Sequence, residues 1–299
     1  MKNINKIAKI IIFLLMCATI LCSCSVDFGE YLYDSNNTTA TEVNLSVHYL
    51  DVGQGDSIFI EFPDSETMLI DAGENYHGER IINYITNCGY TDVDYLVATH
   101  PHTDHIGSMG YIVRNFNIGS VYMPKVSANT KTYENLLESI SDKGLKVKSA
   151  KEGTIIKETE DISVEVVAPV TIDSDDLNNC SLVIKVIYKD VSYLFTGDAE
   201  KAELKEITSD ITADVLKVGH HGSSTSTYEE FLEAVDPEIA VISVGEDNEY
   251  GHPHKEVMQY LSDYGCQIYR TDEDKTVTVS TDGYEITVVM DNNSIERAK

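Results

Sequence analysis

Thr99-His100-Pro101-His102-Thr103-Asp104-His105-Ile106-Gly107 sets four metal-competent side chains within six positions, directly after the apolar run Val93-Asp94-Tyr95-Leu96-Val97-Ala98. That run is short and rich in β-branched and aromatic residues, which predicts a buried strand, and Ile106 to Asn115 predicts the start of a helix. The ligand-rich stretch therefore falls at a strand-to-helix turn. In extended backbone, residues two apart face the same way, so His100 and His102 can grip one ion together. Asp104 and His105 turn into the helix, project elsewhere and can hold a second. Imidazole and carboxylate donors suit zinc, and with carboxylate-rich coordination also manganese or iron.

Outward from this stretch, later strand ends supply partners. Asp198 follows the apolar strand Val191 to Phe195 and precedes a predicted helix, Ala199 to Ile207, so it is placed to bridge two ions. A strand from Ala213 to Val218 delivers Gly219-His220-His221-Gly222-Ser223-Ser224. A third, Glu238 to Val244, leads to Asn248-Glu249-Tyr250-Gly251-His252-Pro253-His254 and a helix over Lys255 to Tyr264. Seven of the nine histidines fall in these loops, a clustering that scatter does not produce.

Upstream, strands at Leu45 to Leu50 and Ser57 to Phe62 flank Asp51-Val52-Gly53-Gln54-Gly55-Asp56, whose glycines permit a tight turn. Thr67 to Ile70 ends in Asp71-Ala72-Gly73, where Asp71 either orients a ligand histidine or simply forms the turn. An amphipathic helix is predicted over His77 to Cys88 and another over Lys131 to Ser141. Further strands are predicted near Lys146 to Lys148 and over Thr154 to Glu158, Asp161 to Val167, Ser181 to Tyr188, Gln267 to Thr271, Thr276 to Ser280 and Glu285 to Val289.

A chain of 299 residues, 42% hydrophobic, can bury a full core. Met1 to Lys9 carries three lysines and no acid, and an almost unbroken apolar run from Ile10 to Leu21 follows. Residues 1–23 read as a secretory signal, too short for a comfortable membrane span. Leu21-Cys22-Ser23-Cys24 is similar to the bacterial lipoprotein processing box, with Cys24 the better lipidation site and Cys22 the weaker. Residues 24–42 read as the lipidated N-terminus and a polar tether, 43–291 as the folded domain and 292–299 as a loose tail. The expected location is the extracytoplasmic face of the bacterial cell membrane. Cys88, Cys180 and Cys266 show neither a disulfide framework nor a zinc motif. A formal charge of −28, more negative once Lys2, Lys6 and Lys9 are removed, disfavours nonspecific binding of nucleic acid or anionic lipid.

His-x-His-x-Asp-His, a later Gly-Asp after a strand and a later histidine together resemble the metallo-β-lactamase superfamily. Leu50 to Asp56, Asn178-Asn179-Cys180-Ser181-Leu182-Val183, Leu216 to Ser223 and Tyr250-Gly251-His252-Pro253 are similar, more closely, to the hydrolase domain of ComEC-type DNA-uptake competence proteins. The resemblance runs from Val43 to about Asp291. It implies a four-layer αββα sandwich with two mixed β-sheets and a binuclear site at one edge. Two divalent metal ions are implied, zinc first and manganese second. His100 and His102 would hold the first ion, Asp104, His105 and His221 the second, and Asp198 both. His221 is preferred to His220 because it directly precedes Gly222. Many members supply a further first-site histidine where this chain has Asn178 and Asn179, so the first site is expected to be looser and completed by water, or to favour a harder metal.

The activity so implied is hydrolysis of phosphodiester bonds in nucleic acid or in cell-surface phosphodiesters. Asp104 would take a proton from water, and His220 or His252 would donate a hydrogen bond to the developing oxyanion or leaving oxygen. His252 also reads as a turn residue before Pro253. Amide or thioester hydrolysis, including that of β-lactams, and a non-catalytic metal-containing binding role are the competing readings. No protein partner is inferable.

Overall fold

The computed structural model describes residues 44–172, 175–291 and 295–297, and Val43–Lys299 forms one compact unit. Cys24, the signal over 1–23 and the tether over 24–42 lie outside the described residues. Among the described residues no helix is long and apolar enough to cross a membrane.

Short β-branched runs punctuated by Gly, Asp and Pro turns build two sheets. The chain lays down β1 (Leu45–Tyr49), β2 (Ile58–Glu61), β3 (Thr67–Ile70), β4 (Asp92–Val97), β5 (Asn117–Pro124) and β6 (Val147–Ala150) in the first sheet. It then forms the second from β7 (Thr154–Glu158), β8 (Ile162–Ala168), β9 (Val183–Tyr188), β10 (Val191–Phe195), β11 (Val215–Lys217), β12 (Ile239–Ile242) and β13 (Gln267–Arg270). β14 (Val277–Thr281), β15 (Ile286–Met290) and β16 (Ile295–Arg297) return to the first sheet, in which β14 pairs with β1. Both sheets are mixed: β1 to β3 and β8 to β10 pair antiparallel, whereas β3 to β6 and β10 to β13 pair parallel.

Alternation along the strands decides the layers. Val47, Tyr49, Ile58 and Ile60 meet Val164, Val166, Ile184 and Phe195 in a core between the sheets. Phe59, Leu69 and Leu96 point the other way, under the helices Gly78–Asn87, Met109–Asn115 and Lys131–Asp142. Leu194, Leu216 and Ala240 pack beneath the helices Glu229–Val235 and Lys255–Tyr264. Each fully buried Val, Leu, Ile or Phe side chain among these contributes about 1.5–3 kcal/mol. The result is the αββα sandwich with two mixed sheets.

The structure departs from the sequence reading in four places. The helix expected from Ile106 starts earlier, as Thr103–Ile106, and breaks before Met109–Asn115. Gly107 there lies so close to the backbone of Glu74 and Asn75 that a Cβ would come within 2.5 Å of it. The helix expected over Ala199 to Ile207 shrinks to Lys201–Leu204, whose start is fixed by Asn179 Oδ1, which accepts from Glu200 N at the N-cap and from Glu203 N in the first turn. Helices Glu229–Val235 and Thr271–Asp274 carry no clear periodic signal at their length. Finally, the tail expected to be loose over 292–299 contains β16, which pairs antiparallel with β15 because that edge otherwise presents unpaired backbone groups.

Glu203 is buried in the short helix, with both carboxylate oxygens lacking a well-aligned partner. Burial pushes its carboxyl up from the ordinary 4.5 to about 9, against the opposing Ser181 backbone N–H. The folded chain therefore keeps a proton that the unfolded chain releases, so this residue lowers stability progressively as pH rises from about 4.5 to about 9. Glu203→Gln, compared with the parent by urea unfolding in EDTA, is expected to match it near pH 5 and to gain about 1–3 kcal/mol by pH 8.

Candidate metal centre

The cluster assembles at the carboxyl ends of parallel strands drawn from both sheets, where open α/β sheets present their binding crevices. β3 delivers Asp71, β4 delivers Thr99 and His100, β10 delivers Asp198, β11 delivers His220 and His221, and β12 leads into Ser243. Asp71, His220 and His221 all adopt left-handed backbone, at φ 59°, 48° and 53°. Such conformations are uncommon for residues with a Cβ and concentrate where side chains must be aimed.

Asp71 is fully buried and saturated. Its Oδ1 accepts from Thr99 N at 2.8 Å, and its Oδ2 accepts from the Thr99 hydroxyl at 2.6 Å and from His105 Nδ1 at 2.8 Å. This fixes the His105 tautomer and turns Nε2 toward Asp198 Oδ2, 3.2 Å away. His221 is held in the same way, with Nδ1 donating to Ser243 O at 3.0 Å and Nε2 lying 3.4 Å from Asp104 Oδ2 and 3.6 Å from Asp198 Oδ1. His100 Nδ1 meets the Thr99 hydroxyl at 3.2 Å, while its Nε2 lies 3.1 Å from His102 Nδ1 and 3.8 Å from Asp198 Oδ2. Two imidazole nitrogens so close together are spaced to share a cation.

Ligand atoms of Asp104, His105, Asp198 and His221 lie within 4.8 Å of one another. His105 Nε2, His221 Nε2 and Asp198 Oδ1 are buried there without a hydrogen-bond partner. Buried polar atoms left so are costly, and a divalent cation is the group that satisfies all three at once. The electrostatics agree. Against burial, Asp198, Asp104 and Asp56 drive the His221 imidazole up to about 10, and Asp198, Asp104 and Asp71 raise His105 well above its ordinary value. The pocket thus demands positive charge. The donor set fits two metal ions.

Asp104 and Asp198 line a cavity of about 320 Å³ with Gln54, His102, Asn178, His220, His221, Tyr250 and His252. His252 Nδ1 is buried without a partner, and its ring stacks on exposed Tyr250 at 5.6 Å. Burial together with the neighbouring His221, His254 and His220 pushes His252 down to about 4, leaving it neutral near pH 7. Asn178 and Asn179 part company. Asn178 lines the cavity with a partnerless Oδ1, whereas Asn179 is spent on Asp176, Glu200 and Glu203 and does not reach the cluster.

Residues 50–246 match the family described as the "Metallo-beta-lactamase superfamily". The chain belongs to the metallo-β-lactamase superfamily. With ComE operon protein 3 of Bacillus subtilis (strain 168) it shares 33% identity over 274 residues, which cover 85% of this chain and 34% of that protein. With Competence protein ComA of Neisseria gonorrhoeae it shares 27% over 236 residues, 77% of this chain and 31% of the other. The chain spans about a third of the length of these curated relatives. The solved structure of Igni18, a novel metallo hydrolase from Ignicoccus hospitalis KIN4/I, aligns with TM-score 0.51 at 17% identity over 79% of this chain and 98% of that one, a likeness in fold. As a metallo-β-lactamase superfamily hydrolase, the protein carries in this cluster the makings of a binuclear metal site.

The sequence reading missed the support beneath the cluster. Lys217 is fully buried and donates to Val218 O at 3.0 Å, with its ammonium 2.8 Å from Asp56 Oδ2. Asp56 Oδ1 in turn lies 3.3 Å from His221 Nδ1. Burial raises the Asp56 carboxyl, but Lys217 and His221 outweigh it and bring it down to about 2. The available signal was a lone lysine inside the apolar run Val215-Leu216-Lys217-Val218. Gly55 serves the same corner: at φ 132° it admits Asp104 O where a Cβ would come within 2.2 Å, and Asp56 N donates to that oxygen at 3.2 Å.

Breaking a buried ion pair from one side costs about 3–5 kcal/mol. Lys217→Met is expected to lose that much in chemical denaturation and to weaken metal binding about 10- to 100-fold. Adding Asp56→Leu should recover most of the stability without recovering metal affinity.

Proposed function

We propose that the protein is an extracytoplasmic, lipid-anchored binuclear metallohydrolase that cleaves phosphodiester bonds. The observation that carries this reading is the convergence of partnerless His105, His221 and Asp198 atoms on one point beside the His100–His102 pair. His100 and His102 would hold one divalent ion and Asp104, His105 and His221 a second, with Asp198 contributing to both, zinc the first choice and manganese the second. When bound, such a pair of ions would supply a water of lowered pKa and positive charge to offset the negative charge developing on the substrate oxygens.

The chain's own groups do the rest. Asp104, partly open to the cavity and kept below the usual carboxylate range by His105 and His221 against its burial, accepts the proton of the attacking water. His252, neutral near pH 7, donates its N–H to the developing oxyanion or the leaving oxygen. Asp71 and Ser243 O hold the rings of His105 and His221 in register. The cavity is lined mostly by polar side chains, with Tyr250 exposed, and suits a narrow anionic strand or headgroup once its carboxylates are offset by bound cations. Nucleic acid is ranked slightly ahead of a surface phosphodiester on the resemblance to the hydrolase domain of DNA-uptake competence proteins, in keeping with a relative named Competence protein ComA.

Asp198→Ala tests the bridge. Elemental analysis of the parent, loaded with zinc or manganese, is expected to give two ions per chain and the variant fewer, with hydrolysis of bis-p-nitrophenyl phosphate and linear single-stranded DNA falling at least about a thousandfold. Two ions in the variant would remove Asp198 from its role, and a parent that cleaves nitrocefin alone would move the substrate to amides. For the anchor, Cys24→Ala is expected to shift the protein from the membrane fraction to the soluble extracytoplasmic one, and unchanged fractionation would remove Cys24 as the anchoring residue.

A further inference from the structure

Adjacent residues of extended backbone point to opposite sides, yet His220 and His221 both face the cluster. The turn Gly219–Gly222 achieves this by placing two successive residues in the left-handed region, His220 at φ 48°, ψ 47° and His221 at φ 53°, ψ 27°. Its fold is pinned from beneath, because His220 N donates to Gly197 O at 3.0 Å, one residue before Asp198. Strain of this kind persists only where the surroundings enforce it.

The His220 ring repeats the arrangement of the other cluster histidines. One nitrogen is tied away from the centre: Nδ1 lies 3.3 Å from the Thr225 hydroxyl and 3.4 Å from Glu200 Oε1. The other is aimed inward, with Nε2 3.7 Å from Asp198 Oδ2, matching the 3.8 Å of His100 Nε2 from the same oxygen. A carboxylate behind one ring nitrogen and a bridging carboxylate before the other is the orienting pattern of a metal-bound histidine. Meanwhile the position where many superfamily members place a further histidine offers only the Asn178 amide oxygen, a weak donor to zinc, since Asn179 is spent elsewhere.

We propose that His220 is a ligand, supplying Nε2 to the ion held by His100 and His102 and so replacing from β11 the histidine that the chain lacks before β9. This rests on the binuclear reading above and revises the role of His220 from a substrate contact to a metal donor. Glu200 and Thr225 then act as positioning residues for its ring. The site is completed by nitrogen, not by Asn178 or by water alone.

The test is manganese binding to the full chain, followed by elemental analysis after gel filtration and by electron paramagnetic resonance. The parent is expected to retain two ions with an exchange-coupled spectrum. His220→Ala should retain one, give an isolated-ion spectrum and bind the second at least about 100-fold more weakly, whereas His220→Asp restores an oxygen donor and the second ion. Glu200→Gln should weaken that ion about 10-fold, and Asn178→Ala and His252→Ala should keep both. Circular dichroism confirms folding, and His220→Gln takes the place of the alanine variant should that one not fold. Two ions and a coupled spectrum in folded His220→Ala or His220→Gln overturn the assignment, as does loss of one ion in Asn178→Ala alone. A parent that binds fewer than two ions instead overturns the binuclear reading itself.

Discussion

Four carboxylates, Asp56, Asp71, Asp104 and Asp198, are drawn into one corner of the sandwich, and three of them are almost wholly removed from solvent. An uncompensated buried carboxylate costs several kcal/mol, so the corner exists only because each charge is answered. Asp71 is answered by three hydrogen bonds from Thr99 and His105, and Asp56 by Lys217. Asp198 has no such counterpart, with only the Ser181 hydroxyl accepting from its backbone N–H and imidazole nitrogens around its oxygens. The fold thus spends its fixed cation and its neutral donors on the supporting carboxylates and leaves the central one to be neutralised by whatever the site binds. That division separates scaffold from reagent.

The same corner explains the two-sheet architecture. β1 to β6 and β8 to β13 follow one plan: two antiparallel pairings, then three parallel strands, with helical segments in the connections. In each half the third strand ends in an aspartate, Asp71 after β3 and Asp198 after β10. The fourth ends in adjacent metal-competent residues, Asp104-His105 beyond β4 and His220-His221 beyond β11. Packing the halves face to face brings both sets of strand ends to one edge. One aspartate, buried in hydrogen bonds, became a support, while the other was left with open oxygens at the centre.

Much of this was legible in the sequence. The strands were announced by β-branched runs and the ligand loops by histidines placed just after them, because a strand end is where backbone regularity stops and side chains can converge. What was hidden depended on long-range contact. Asp56 and Lys217 are far apart in sequence, and neither residue alone signals a pair. The inward aim of His220 required two left-handed residues in succession, which flanking Gly219 and Gly222 permit but do not dictate. Asn178 and Asn179 look interchangeable until a helix start claims one of them. The edge strand β16 depends on an unpaired partner that no local pattern reveals.

The formal charge of −28 appears at first to oppose an anionic substrate. Surface repulsion is screened over about 8 Å at physiological ionic strength, whereas two divalent ions in a recessed cleft act at contact distance in a poorly screened environment. The balance therefore depends on how many phosphates the substrate must bring near the surface at once. A stiff duplex presents a charge every 1.7 Å or so of its axis and is penalised along its whole length. A flexible strand end or a single phosphodiester headgroup offers one group to the ions and keeps the rest in solvent. A cavity of about 320 Å³ with Tyr250 exposed at its mouth accommodates the second kind of approach. On the proposed reading, acidity outside and cations within act together as a filter against extended duplex, so selectivity arises from the charge distribution before any base or sugar is contacted.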